Sequence, residues 1–288
     1  MSIGLPVRNG AAFMDRALRS LLAQTLSDFE LIISDNASTD ATPAIIAHYA
    51  SQDTRIRVVR QDENLGAIGN FLFVLSEARG EYFLWAAADD EWKPTFLDRL
   101  VTELRRHLDA ATAMCAVLRR QPDGTTDVVR WEGEADPGRM SCGELAGHVA
   151  AGRPYHLYIC GLHRTPQLQQ AARYLPRVQG PDRVLMCQAA LAWPWRYVDE
   201  VLLVRQLSAT RHPDRYPDES LAYLRTTWWS GFPTVLAAAR MLLCSKVIPT
   251  RRKVVIPRLL FLFLKRALGR AVVPLRTLIR SLVKTGGR

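Results

Sequence analysis

Residues 29–40 run Phe29-Glu30-Leu31-Ile32-Ile33-Ser34-Asp35-Asn36-Ala37-Ser38-Thr39-Asp40. The aliphatic run gives way to a polar loop, so Glu30–Ser34 is predicted as a buried strand that ends among hydrogen-bonding side chains. Asp40-Ala41-Thr42-Pro43 then opens a helix, with Thr42 as its N-cap and Pro43 at the first helical position. Strand, polar loop and helix in that order form the repeating unit of a parallel sheet covered by helices. The unit recurs on both sides of this stretch. Ile3–Val7 is predicted as a strand before it, followed by a helix whose apolar face is Phe13, Ala17, Leu18, Leu21 and Leu22. Ile56–Arg60 comes after it, with Asn64-Leu65-Gly66 leading into a third helix that ends near Gly80. Tyr82–Ala86 is the fourth strand, and a fourth helix begins after Lys93-Pro94 and runs to about His107.

Past residue 110 the periodicity weakens. Cys115–Arg119 and Thr126–Trp131 read as strands joined by a turn at Pro122-Asp123-Gly124. Pro181-Asp182 precedes a helix through about Ala192, Tyr197–Val204 reads as a strand, and the polar Arg205–Ser220 as a loop. Leu221–Leu243 is predicted helical and carries Trp228 and Trp229. Two basic, apolar stretches split by Pro249, Pro257 and Pro274 follow. The organisation expected is an α/β body over 1–219 and a basic amphipathic helical region over 220–288, with no internal repeat.

The chain has 288 residues, 48% of them hydrophobic, and a formal net charge of +10. That charge is uneven: residues 1–219 hold 24 Lys+Arg against 28 Asp+Glu, and residues 220–288 hold 14 basic residues and no acid. Five widely spaced cysteines with no CxxC pair point to neither a zinc cage nor a disulfide framework, and fit a reducing compartment. The start at Ser2-Ile3-Gly4-Leu5-Pro6-Val7 lacks the basic and apolar blocks of a signal peptide, so a cytoplasmic location is expected. Val254 to Leu264 comes nearest to a spanning run, but Arg258 interrupts it and Lys265-Arg266 closes it.

In an open α/β sheet, ligands bind at the carboxyl ends of the strands, where successive connections diverge. Four clusters converge on that edge: Pro6-Val7-Arg8-Asn9, Asp35 to Asp40, Asp62-Glu63-Asn64 and Ala88-Asp89-Asp90. A nucleoside diphosphate needs hydrogen-bonding groups for its base and ribose, and positive charge on its phosphates, most of all as the diphosphate departs. Mg2+ or Mn2+ supplies that charge and prefers carboxylate oxygen, often using one or two protein ligands besides phosphate and water. This reading assigns Asp89 to the metal and Asp35 to the nucleoside.

The runs Leu5-Pro6-Val7-Arg8-Asn9-Gly10, Ser20-Leu21-Leu22-Ala23-Gln24-Thr25, Phe29 to Asp40, Asn64-Leu65-Gly66 and Gly80-Glu81-Tyr82 closely resemble the family 2 glycosyltransferases in order and spacing. The resemblance implies a GT-A-type nucleotide-binding fold, a nucleotide-sugar donor and an inverting transfer. It implies donor contacts from Pro6, Val7, Arg8, Asn9, Asp35, Asn64, Gly66, Asn70, Ala88, Asp89 and Asp90. It further implies a catalytic base at Asp182, in Gly180-Pro181-Asp182-Arg183, and basic or His residues over the diphosphate from Arg205, Arg211 and His212, with His212 as a second metal ligand. Two positions depart from the family pattern. Ala87 stands where many relatives carry the first acid of Asp-x-Asp-Asp, and Arg8 stands where an aromatic is common, able to stack on a base or meet phosphate.

Each assignment has a structural counterpart. Asp182 reads equally as base or as N-cap. Asp35 and Asp40 are turn and cap residues by type, and Gly66 supplies a positive φ. The basic tail, with Lys and Arg interleaved among Leu, Ile, Val and Phe, fits a helix lying on an anionic membrane, its counterpart being a helix packed on the catalytic body. Nucleic acid fits poorly, because the segment is strongly apolar. The expected activity is sugar transfer to a lipid-linked or cell-surface glycan acceptor in polysaccharide biosynthesis, peripheral to the cytoplasmic membrane face. The alternative is a catalytically silent scaffold with the same fold.

Overall fold

The computed structural model describes residues 1–131, 137–151, 158–173, 175, 181–207 and 231–265. Its centre is one mixed sheet in the order β3-β2-β1-β4-β8-β6-β9-β5, with β7 paired to β6. The four N-terminal strands, β1 (Ser2–Val7), β2 (Glu30–Asp35), β3 (Ile56–Arg60) and β4 (Tyr82–Trp85), form the parallel block expected from the repeating unit. β8 (Leu162–Arg164) joins it antiparallel to β4 and β6 (Thr112–Arg120). β9 (Trp195–Gln206) then runs parallel to β6, and β5 (Glu91–Trp92) and β7 (Thr126–Val129) add antiparallel edges.

The helices cover this sheet for the reason the sequence suggests. In α1 (Met14–Leu22) the residues at helical spacing, Met14, Ala17, Leu18 and Leu21, are fully buried. α2 (Thr42–Gln52), α3 (Gly66–Ser76) and α4 (Phe96–Arg106) follow the next three strands. α3 can lie close on β1 because Gly4 has no side chain: a Cβ there would stand 2.7 Å from Val74 Cγ2.

Three local expectations are corrected. Thr42 is inside α2 and Ala41 is its N-cap; the Thr42 hydroxyl instead accepts the Gly10 N–H at 2.8 Å. The third helix stops at Ser76, and Arg205 stands on β9 rather than in a loop. Four elements were not anticipated: β5, β8, α5 (Cys142–Ala151) and α6 (Thr165–Ala172). The two strands are too short to show a period, and their partners are distant in sequence.

α7 (Pro181–Ala192) packs on α5, and every residue from Arg183 to Ala192 is buried. The helix Gly231–Cys244 packs on α7 in turn. Ala238, Leu242, Ile256 and Leu259 are at most 1% exposed and belong to the same core. Arg252 donates to the carbonyls of Leu191 and Ala192 at 3.0 and 2.8 Å, satisfying the C-terminal end of α7. Among the described residues no helix is long and apolar enough to cross a membrane. Trp228, Trp229 and the expected boundary at 219/220 lie outside the described residues.

Candidate functional site

The carboxyl ends of β1, β2 and β4 open onto one crevice of about 600 Å³, part of it open to solvent. Pro6, Val7 and Arg8 line it from the end of β1, Asn36 from β2, and Ala87, Ala88 and Asp89 from the turn after β4. Ala67, Asn70 and Phe71 face it from the first turns of α3. Six residues expected at a donor site thus meet here: Pro6, Val7, Arg8, Asn70, Ala88 and Asp89.

Hydrogen bonds within this wall and behind it hold its shape. Asn9, at φ 50°, accepts the Thr39 N–H at 2.9 Å and gives its own N–H to the Ser38 hydroxyl. Asp35 is 1% exposed and accepts the Ser38 N–H at 3.0 Å, with Arg60 Nε 3.8 Å from its other oxygen. Asn36 donates to Asn64 Oδ1 at 2.8 Å and accepts the Leu65 N–H at 2.8 Å, while Asn64 also takes the Gly66 N–H. Gly66 needs its φ of 72° to start α3 there. Asn70 exchanges two hydrogen bonds with Ser34, from Ser34 Oγ at 2.5 Å and to its carbonyl at 3.0 Å. Asp40 stays outside the crevice and is exposed; desolvation pushes its carboxyl up, but hydrogen bonds from Thr42 and Ala11 outweigh that and hold it below the usual range.

Arg8 is fixed as well as exposed to the crevice. Its Nη1 donates at 2.8 Å to the carbonyls of both Asn36 and Ala37, the latter at φ 54°. The guanidinium therefore lies as a charged plate across the loop after β2.

Neighbouring acids separate by environment. Asp89 lines the crevice, whereas Asp90 is 2% exposed and faces Arg205 Nε at 3.4 Å. Burial pushes the Asp90 carboxyl up to about 7, against the pull of Arg205 and with a smaller push from Asp89. The Cys160 thiol gives a further measure of placement. Burial raises it to about 11; Arg205 opposes that shift, and Asp90, Asp89 and Asp182 add to it. Asp182, at the head of α7, therefore lies within electrostatic reach of the same thiol as the pair after β4. Arg211 and His212 lie outside the described residues.

A divalent ion suits Asp89 by donor chemistry. Among the described residues no group of three or more His, Cys, Asp or Glu forms a metal cage. Asp89, beside the small Ala87 and Ala88, is a crevice carboxylate of the type that Mg2+ or Mn2+ takes together with phosphate and water ligands. The sequence assigns no donor contact to Asn36, Ala67, Phe71 or Ala87, although Asn36 belongs to the Asp35 to Asp40 cluster expected at the crevice edge. Helical spacing would have found two of them in sequence, since Ala67 stands at i−3 from Asn70 and Phe71 at i+4 from Ala67.

The profile described as Glycosyl transferase family 2 matches residues 2–150. An uncharacterized protein of Mycobacterium tuberculosis strain H37Rv is 38% identical over 130 residues, covering 44% of this chain and 38% of that protein. The match thus spans well under half the length of that curated relative. Among solved structures, Staphylococcus aureus TarS 1–349 in complex with UDP-GlcNAc aligns with TM-score 0.67 at 16% identity over 90% of this chain and 71% of that one. Mannosyltransferase PcManGT from Pyrobaculum calidifontis, in complex with GDP-Man and Mn2+, aligns with TM-score 0.58 at 16% identity over 99% and 78%. Likeness at these identities shows the fold.

Proposed function

The chain belongs to glycosyl transferase family 2, and from that premise we propose that it moves a sugar from a nucleoside-diphosphate donor to a lipid-linked or cell-surface glycan acceptor, inverting the anomeric centre. The observation that carries this reading is the crevice that places Arg8, Asn70 and Asp89 together at the strand ends. Asp89 would hold Mg2+ or Mn2+, which when bound offsets charge on the departing diphosphate. Arg8 offers a fixed cation to the base or phosphates, and Asn36 with Asn64 shapes the loop beside it. Asp182 is the base: as the acceptor oxygen bonds to the anomeric carbon and the bond to the diphosphate breaks, its carboxylate takes the hydroxyl proton. The acceptor is placed at the cytoplasmic membrane face on the strength of the basic residues in 220–288.

Screening by melting temperature tests the donor half. With Mn2+ present, one of UDP, GDP or TDP at about 100 times its Kd should stabilise the protein by about 2.7 kcal/mol, and EDTA should remove the effect. No response to any of them would contradict the reading.

A further inference from the structure

Within residues 231–265, two elements bury one side and turn a mixed basic and apolar stripe outward. In the helix Gly231–Cys244, Ala238 and Leu242 are fully buried, while Leu236 is 70% and Leu243 51% exposed, with exposed Arg240 between them. Positions 236, 240 and 243 share one helical face. In the helical residues 256–265, Ile256, Leu259 and Phe263 point inward, and Arg258, Phe261 and Lys265 stand on the opposite face, Phe261 at 63% exposure. Val254, 78% exposed, precedes Arg258 by one turn. Lys253 Nζ donates to the Leu243 carbonyl at 2.7 Å and ties the two elements together.

This arrangement is local to one region. Of nine large hydrophobic side chains exposed among the described residues, four are Leu236, Leu243, Val254 and Phe261, so the exposed apolar surface concentrates in a stretch of chain that itself carries no acidic residue. Arg252 and Lys253 are turned to backbone carbonyls, but Arg240, Lys246, Arg251, Arg258 and Lys265 are exposed. A stripe of basic residues around large apolar side chains matches the depth profile of a bilayer interface, where charged heads meet anionic lipid and the apolar groups enter the acyl boundary.

We propose that the outward face built by Leu236, Arg240, Leu243, Val254, Arg258 and Phe261 is a docking surface for an anionic lipid bilayer. It rests on the reading that the acceptor lies at a membrane, and it names the face that meets it. The cleft between this face and α5, lined by Arg258, Leu262 and Lys265, also contains Glu144 and His148. Hydrogen bonds from Ser141 first, then the charges of His148 and Arg258, hold the Glu144 carboxyl below its usual range against a push from burial, so the cleft already carries a counter-charge. Arg240, Lys246 and Arg251 are exposed and do not line that cleft, so exposed positive charge remains outside it.

Sedimentation of the full chain with vesicles tests this directly. Binding is expected to phosphatidylcholine vesicles containing about one-third phosphatidylserine at low salt, with release at high salt and little binding to pure phosphatidylcholine. The double variant Leu236→Glu, Phe261→Glu should bind at least about tenfold more weakly. Leu108→Glu, at a position 80% exposed in the turn between α4 and β6, should bind as wild type. Unchanged binding of the double variant, equal binding to neutral vesicles, or self-association abolished by the double variant without any vesicle binding would each overturn the proposal. The double variant keeps its nucleotide-dependent rise in melting temperature, which separates this failure from failure of the donor reading.

Discussion

Asp182 heads α7, where a carboxylate is favoured by the helix dipole whatever its chemistry. A structural and a catalytic duty can be separated because an amide keeps the shape and the hydrogen-bonding oxygen but cannot accept a proton. Asp182→Asn should lower kcat by about two to four orders of magnitude, the usual worth of a general base. Donor KM and melting temperature should stay within ordinary surface-mutation scatter; full transfer activity would remove it as the base. At this scale much of the crevice was legible: Pro6, Arg8, Asn70 and Asp89 follow from strand ends and the family motifs. Asp90 was less so, because two adjacent acids look alike in sequence and only the fold turns one to the crevice and the other to Arg205.

The junction of β4, β8 and β6 was invisible in sequence, since β8 has three residues and pairs with strands about 80 and 50 positions away. His163 lies at its centre, 1% exposed, its Nδ1 3.0 Å from Thr112 Oγ1 and its ring edge-on to Trp85. Burial lowers its pKa to about 4, so the folded protein keeps it neutral where the unfolded chain takes up a proton. Its contribution is therefore present above the unfolded pKa near 6.5 and is lost as pH falls toward 4. Going from pH 7 to pH 5 should cost about 2 kcal/mol through this residue. Urea unfolding of His163→Gln should show a correspondingly shallower acid slope; identical slopes would show that another group sets it. By contrast α1 and the first three parallel strands could be read in advance, because each carries its own period and turn chemistry.

Across the whole molecule, the α/β core and the basic C-terminal region are joined by packing that sequence alone left open. Ala238, Leu242, Ile256 and Leu259 are buried in the core that also holds α5 and α7, and Arg252 closes the end of α7. Burying each large aliphatic side chain contributes about 1.5–3 kcal/mol, and a domain has only about 5–15 kcal/mol to lose. A chain ended after residue 219 should therefore lack the cooperative melting transition of the full chain, as circular dichroism would show; an unchanged transition would make the two regions independent. The enzymatic account itself depends on Asp89 presenting its carboxylate to a diphosphate in the crevice. Calorimetry with Mn2+ and the responding nucleotide, on wild type and Asp89→Ala side by side, tests it most directly. The account predicts metal-dependent binding to wild type that weakens by at least about tenfold in the variant, while melting temperature without ligand changes little. Equal metal-dependent affinity in the two proteins would contradict it.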